Sequence, residues 1–222
     1  MDKIFLDIET YKNPNLPKAY LEWKLDELVN KTYTDPKKIA RDKEEKMEKF
    51  ALDARTGMII MVGTILYNEA KQTYESNYWY NKSGTEKEEK KVLLDSMTFI
   101  TEAIAGGARL VTFNGKSFDI PYMVKRAILL KVIPENINLL ADVSRLTRRF
   151  YNDIHYDVCE ILNGGSANEW GYLLGLVKSP ERKGDQIAGL YKAKKHNEVI
   201  AKNTEDLEIL VEIYKRLVLW WK

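Results

Sequence analysis

The residue pattern predicts an α/β fold: a mixed sheet with helices on both faces. Three observations lead there. Apolar, strand-like runs come first, and later helical stretches alternate with single short strands. A composition 45% hydrophobic and 31% charged is that of a soluble protein able to bury a core. The 222 residues suit a single domain, 1–222, with a polar helical insertion at about 11–56.

Residues 3 to 8 form the first apolar strand. Pro17 to Ala54 is polar and helix-prone, with Asp35 as an N-cap and Pro36 in the first turn. Lys37, Lys38, Arg41, Lys43, Lys46 and Lys49 alternate there with Asp42, Glu44, Glu45 and Glu48, the mixture of a solvated helix face. Met58 to Tyr67 is β-rich, and Gln72 to Tyr80 is its antiparallel partner across a polar turn. Glu86 to Ala105 has helical periodicity and stops at Gly106-Gly107. Leu110 to Phe113 is a short strand and Ser117 to Leu130 a helix with Pro121 in its first turn. Further on, the pattern predicts a strand at Leu139 to Val143 and helices at Asp153 to Leu162, Glu169 to Leu176 and Glu205 to Trp221.

Composition narrows the function classes only in part. The longest nearly apolar run, Met58 to Leu66, is too short to cross a hydrocarbon layer of about 30 Å as a helix. The start Met1-Asp2-Lys3 lacks the features of a secretory signal. Cys159 is the sole cysteine, so no intrachain disulfide forms, and a reducing cytoplasmic setting is expected. With 35 basic and 33 acidic residues the formal charge is +2, which by itself points to no nucleic-acid partner. Bound divalent cations would, however, neutralise much of a phosphate's charge.

The chemistry-bearing residues fall in three places. In Phe5-Leu6-Asp7-Ile8-Glu9-Thr10, residues two apart on a strand share a face, so Asp7 and Glu9 present their carboxylates together. Such a pair repels unless a cation with a taste for oxygen ligands lies between. An isolated D-x-E is more often two acids at an exposed strand end, but this one interrupts an apolar strand. Asp119 follows the turn Asn114-Gly115 and opens a helix, near the sheet edge where open α/β sheets bind ligands. Taken alone it is equally an acid stabilising a helix N-terminus. Asp206, with Thr204 or Asn203 as cap, falls in the first turn of the C-terminal helix.

Together these segments resemble the DEDD, or DnaQ-like, 3′–5′ exonucleases. Phe-Leu-Asp-Ile-Glu-Thr resembles their first motif, Asn114 with Phe118-Asp119 the second, and Asn203-x-x-Asp206 approximates the third. Ala51-Leu52-Asp53, Thr56-Gly57-Met58-Ile59 and His155-Tyr156-Asp157-Val158 are similar to segments of exonucleases related to the proofreading domain of family-B DNA polymerases. The resemblance implies a ribonuclease H-like fold, a five-stranded mixed sheet flanked by helices. It also implies metal-dependent hydrolysis with two Mg²⁺ or Mn²⁺ ions. Asp7 would bridge the ions, Glu9 and Asp206 would complete the water-activating site, and Asp119 would hold the second ion. Asn114 would contact the terminal nucleotide or order the site, Thr10 would lie near the terminal base or sugar, and Phe118 would also bind substrate. The implied substrate is single-stranded DNA or a DNA 3′ end, with RNA as the alternative, and the implied partner a DNA polymerase or replication protein. A compact nuclease of this kind would suit a viral source.

One position departs from the family. A Tyr usually stands four residues before the last Asp, or a His five before, whereas here Lys202 and Ala201 occupy those places. Beside carboxylates Lys202 should stay charged, orienting water or contacting phosphate rather than acting as a base. The departure keeps open a non-catalytic nucleic-acid-binding or polymerase-accessory module. Lys178, Arg182, Lys183, Lys192, Lys194 and Lys195, and separately Arg145, Arg148 and Arg149, are candidate backbone-tracking clusters or solvated loops. Tyr191 and His196 could reach the site from a loop, His155 reads as structural, Cys159 as buried, and Trp220-Trp221 as core or a docking point.

Overall fold

The computed structural model describes residues 2–132, 143–179 and 184–219. Strand β1 (Lys3–Lys12) is central. A polar excursion follows, made of α1 (Lys18–Leu28), α2 (Pro36–Glu48) and a 3₁₀ turn at Lys49–Leu52. Asp35 caps α2 by accepting the Lys37 N–H, with Pro36 in the first turn. Next come β2 (Gly57–Asn68), β3 (Thr73–Tyr80) and α3 (Glu86–Ala105), the last capped by the Thr85 side chain. Then β4 (Arg109–Thr112), α4 (Asp119–Leu130), α5 (Val143–Leu146), β5 (His155–Asp157), α6 (Val158–Ile161), α7 (Ala167–Leu173), α8 (Gly184–Lys192) and α9 (His196–Leu219) complete the described chain.

Among the described residues the sheet has five strands in the order β3-β2-β1-β4-β5. β1 runs antiparallel to β2 and parallel to β4, and β4 is parallel to β5, so the ribonuclease H-like mixed sheet is present. Alternation along β1 sorts its side chains. Ile4, Leu6 and Ile8 pack on one face with residues of α3 and α4, including Val92, Met97, Ile120 and Met123. Phe5 packs on the other face beneath Leu207, Leu210 and Tyr214 of α9. Burying this many aliphatic side chains, each contributing about 1.5–3 kcal/mol, holds β1 rigidly between two helical layers.

Several expected boundaries move. β1 runs on to Lys12, so the excursion begins there rather than at residue 11. Asp153 to Leu162 is no single helix: β5 comes first, pairing with Leu110–Thr112, and Asp157 then caps the short α6. The Asp-Val-Cys-Glu pattern is helical only from the cap onward. α4 starts at Asp119, and α7 spans Ala167–Leu173. α9 begins nine residues earlier than expected, at His196, which puts Asp206 mid-helix instead of in the first turn. Thr204 bonds back to the Ile200 carbonyl within that helix, an alternative to capping. The expected strand from Leu139, along with Arg182, Lys183 and Trp220-Trp221, lies outside the described residues, Val143 excepted.

Candidate active site

Asp7 and Glu9 share the α9 face of β1, beyond the apolar contact of Phe5. A register shift between Glu9 and Thr10 then turns the end of the strand. Opposite Asp7 on β2 stands Gly63. Any Cβ there would overlap the Asn203 carboxamide of α9, and its absence lets Asn203 descend onto the sheet. Asn203 Nδ2 donates to Asp7 Oδ2 at 2.7 Å, and the same side chain hydrogen-bonds Glu9. Its Oδ1 is buried with no hydrogen-bond partner among the described residues. Leaving such an acceptor unsatisfied costs about 1–3 kcal/mol, so the amide is committed to the two acids.

Asp119 arrives from a different direction. β4 pairs with β1 only over Lys3–Phe5, and the chain leaves the sheet at Asn114, whose φ is 66°. Asp157 at the end of β5 holds that exit loop, accepting the N–H groups of Asn114 (2.8 Å) and Lys116 (3.0 Å). Asp119 Oδ1 takes the Ile8 N–H at 3.2 Å, a donor that lies past the end of the β4 ladder. Asp206 completes the group from α9, where it is paired with Lys202 one turn earlier.

Electrostatics sets this cluster apart. Burial raises the Asp7 pKa well above its usual value, and the charges of Glu9, Asp119 and Asp206 push it further. Burial and the Asp206 charge lift Glu9 to about 8, against the opposing Asn203 bond and Lys202 charge. Asp119 rises to about 7, chiefly through burial and despite two backbone N–H bonds. Burial works against the charge of Lys202, but its hydrogen bond to Asp206 and the Asp206 and Glu205 charges outweigh it and raise its pKa.

Two grooves flank the cluster. One, of about 630 Å³, contains Glu9, Thr10 and Phe118 and is walled by Glu48 and Leu52 from the excursion and Ile187 from α8. Tyr122 fixes that wall by donating to the Ala51 carbonyl at 2.8 Å. The other groove, of about 460 Å³, contains Asp7, Asn114, Asp206 and Asn168. Of the candidate residues, Glu9, Thr10 and Phe118 line the first groove and Asp7, Asn114 and Asp206 the second, while Asp119 meets the Ile8 N–H and Lys202 meets Asp206 beside them. Gly63 and Asp157 shape this region as well. Gly63 gave no sign in the sequence, because the approach it permits comes from a helix 140 positions later.

Other candidates are engaged elsewhere. Lys116, which the sequence did not single out, is buried and bonds Glu160, Asn152 and the Tyr151 carbonyl. Tyr191 donates to the Asn81 carbonyl and His196 Nδ1 meets the Tyr80 hydroxyl. Arg145 pairs with Asp153 and Arg149 with Glu160. His155 is fully buried between the Leu146 carbonyl (2.6 Å) and the Thr112 hydroxyl (2.8 Å), and burial lowers its pKa to about 4. A carbonyl only accepts, so Nδ1 carries the proton. Cys159 is not fully buried as expected but partly exposed, lining the second groove.

Clustered carboxylates that oppose one another's ionisation are the donor set that Mg²⁺ or Mn²⁺ relieves, so the chemistry fits a divalent cation. Among the described residues no three His, Cys, Asp or Glu side chains already stand in a metal-holding array. Asp206 instead faces Lys202, and Asp7 faces Asn203. No described helix is long and apolar enough to cross a membrane.

Comparison with known proteins adds three findings. The RNase_H_2 family model, of the RNase_H superfamily, matches residues 46–218, a span containing Asp119 and Asp206 but not Asp7 or Glu9. No curated protein matches the chain. The family B DNA polymerase from the hyperthermophilic archaeon Pyrobaculum calidifontis is structurally similar, with a TM-score of 0.53 and 15% identity over 95% of this chain and 24% of that one. The chain thus spans about a quarter of that polymerase, and at this identity the likeness is one of fold.

Proposed function

The chain belongs to the RNase_H superfamily, and from that premise we propose that it is a metal-dependent 3′–5′ exonuclease of the DEDD type. It would hydrolyse single-stranded DNA from the 3′ end to nucleoside 5′-monophosphates. The observation that carries this reading is the meeting of Asp7, Glu9, Asp119 and Asp206 between two grooves, with the pKa of Asp7, Glu9 and Asp119 raised by burial and, for Asp7 and Glu9, by neighbouring acids. Acids perturbed by burial and by one another's charge, converging in a cleft, mark a candidate functional site.

These four carboxylates would hold two divalent cations, Mg²⁺ or Mn²⁺. When bound, such a pair stabilises the attacking and leaving oxygens of an in-line phosphoryl displacement. The protein's own groups position the rest. Asn203 keeps Asp7 and Glu9 side by side, and the Ile8 N–H orients Asp119. In the groove beside Glu9, Phe118, Leu52 and Ile187 offer an apolar seat for a base, with Thr10 at its edge. The charged lining there is Glu9, Glu45 and Glu48 against Lys49. That acidic balance disfavours a continuing phosphate chain and favours a strand terminus. Asn114 borders the opposite groove with Asp7 and Asp206, where it would meet the terminal nucleotide or order the site. The likeness of fold to a polymerase also supports association with a DNA polymerase or replication protein.

The test is degradation of a 5′-labelled single-stranded DNA oligonucleotide in Mg²⁺ or Mn²⁺, beside EDTA and Asp7→Ala. A ladder shortening from the 3′ end is expected, abolished by EDTA. Losing a ligand worth several kcal/mol in the transition state slows Asp7→Ala by on the order of a thousandfold. A matched RNA oligonucleotide separates the exoribonuclease reading. The Lys202–Asp206 pair favours one other reading, a binding module without catalysis; intact DNA and RNA in both metals, with the oligonucleotide retained in a gel-shift assay, would favour that one instead.

A further inference from the structure

Lys202 is placed unlike an ordinary surface ion-pair lysine. Its side chain is 10% exposed, while its partners Asp206 and Glu205 are 28% and 49% exposed. The ammonium is therefore tucked inward and the carboxylates lie outward. It contacts Asp206 Oδ1 and lies 3.4 Å from Glu205 Oε2. Its charge also reaches Asp7 and Glu9, easing the ionisation of both. In the protein alone, this one ammonium does for three acids what a divalent cation would otherwise do.

A divalent cation held by Asp206 would stand within a few ångström of the ammonium already on Oδ1, and like charges that close repel, so metal binding works to push Lys202 off its partner. Without Asp206 the largely buried ammonium would keep, among the described residues, only Glu205, half exposed and 3.4 Å away, so the released side chain favours a further anion. The surroundings provide a place for one. Lys202 lines a further groove of about 310 Å³ with Lys178, Ser179 and Asn168, the two lysines set against Glu205, and Asn168 also lines the groove of Asp7, Asn114 and Asp206. The ion pair thus sits where the two grooves adjoin, on the path of a strand laid along them.

We propose that Lys202 is an exchangeable counter-ion: it neutralises Asp206 in the resting protein and passes to a substrate phosphate when Asp206 takes a metal ion. This rests on the carboxylate site proposed above and adds a coupling to it. Metal loading is weak without nucleic acid and tightens with it. By linkage, the oligonucleotide and the metal strengthen each other's binding by the same factor.

The experiment is titration of the full chain with Mn²⁺, followed by electron paramagnetic resonance, with and without a short phosphorothioate oligothymidylate. In the wild type the oligonucleotide should tighten Mn²⁺ binding on the order of tenfold, within the usual range for coupled sites. Lys202→Met, which keeps the aliphatic stem, should bind Mn²⁺ about tenfold more tightly with no oligonucleotide, and its coupling should fall to near one. Lys202→Arg, which keeps the charge, should behave like the wild type. Thermal melts followed by circular dichroism establish that each variant is folded. A folded Lys202→Met with unchanged or weaker Mn²⁺ affinity overturns the exchange. Asp7→Ala in the same titration separates the two levels: Mn²⁺ bound as tightly as in the wild type would mean that the carboxylate site is itself misassigned.

Discussion

Buried charge is handled in two ways in this molecule. Glu89 of α3 and Arg126 of α4 are 0% and 2% exposed, yet every strong group is met. Glu89 accepts Arg126 Nε at 2.7 Å, Arg126 Nη2 at 2.6 Å and the Ile59 N–H at 2.8 Å, and Arg126 Nη1 donates to the Ala54 carbonyl. On the other side of β1 lie Asp7 and Glu9, with Asp119 reaching them from the start of α4, and their compensation is one lysine, one amide and the backbone N–H groups that Asp119 accepts. The first arrangement is a clamp, pinning the return of the excursion to the helices behind the sheet. The second is a deficit of positive charge that the fold tolerates. What separates structural from functional buried charge here is how fully it is matched, and depth of burial alone does not distinguish them.

The comparison breaks most sharply at the clamp. Arg126→Met leaves the Glu89 carboxylate buried without its partner, a change that typically costs about 3–5 kcal/mol. Urea denaturation at neutral pH should show that loss, while Asp119→Asn, which removes a repelled charge, should stabilise the metal-free protein under the same conditions. Equal destabilisation by both changes would erase the distinction.

Stability against pH sharpens it next. Glu9 at about 8 and Asp119 at about 7 lie above the ordinary carboxyl values. The folded, metal-free state therefore holds protons that the unfolded chain has released, and its stability falls as pH rises from about 5 towards 8. Melting in EDTA should show this decline, and Mg²⁺ should flatten it. His155 acts with the opposite sign. Its folded pKa of about 4 lies below the ordinary value near 6.5, so its contribution is present above 6.5 and is lost as pH falls towards 4. That loss is on the order of 3 kcal/mol. A metal-free melting curve that rises monotonically from pH 5 to 8 would contradict the account of the carboxylates.

The smallest effect lies at Gly63. Alanine there drives its methyl into Asn203 and should cost about 1–3 kcal/mol, the range for overpacking. Adding Asn203→Ala removes the overlap, so the two changes should combine to less than their sum, a non-additivity that chemical denaturation can resolve.

Much of this was legible in the residues themselves. Alternation along β1 placed Phe5, Asp7 and Glu9 on one face and Ile4, Leu6 and Ile8 on the other, and the Asp35 cap and the span of α3 followed from local chemistry. Those features depend on neighbours a few residues apart, where period and capping act. The three-residue β5 was hidden because a strand that short has no period to show, and its pairing with β4 is what makes it a strand. Likewise, α9 runs through an apparent start at Glu205, because packing of Val199 and Asn203 against the sheet overrides a local cap. Only the tertiary structure brought Asn203 onto Asp7 across 196 positions, through the gap at Gly63, and set Lys202 inward of its acids. Local pattern decides which face a side chain takes, whereas which distant group meets it depends on strand register and helix docking, and no short stretch of sequence carries those.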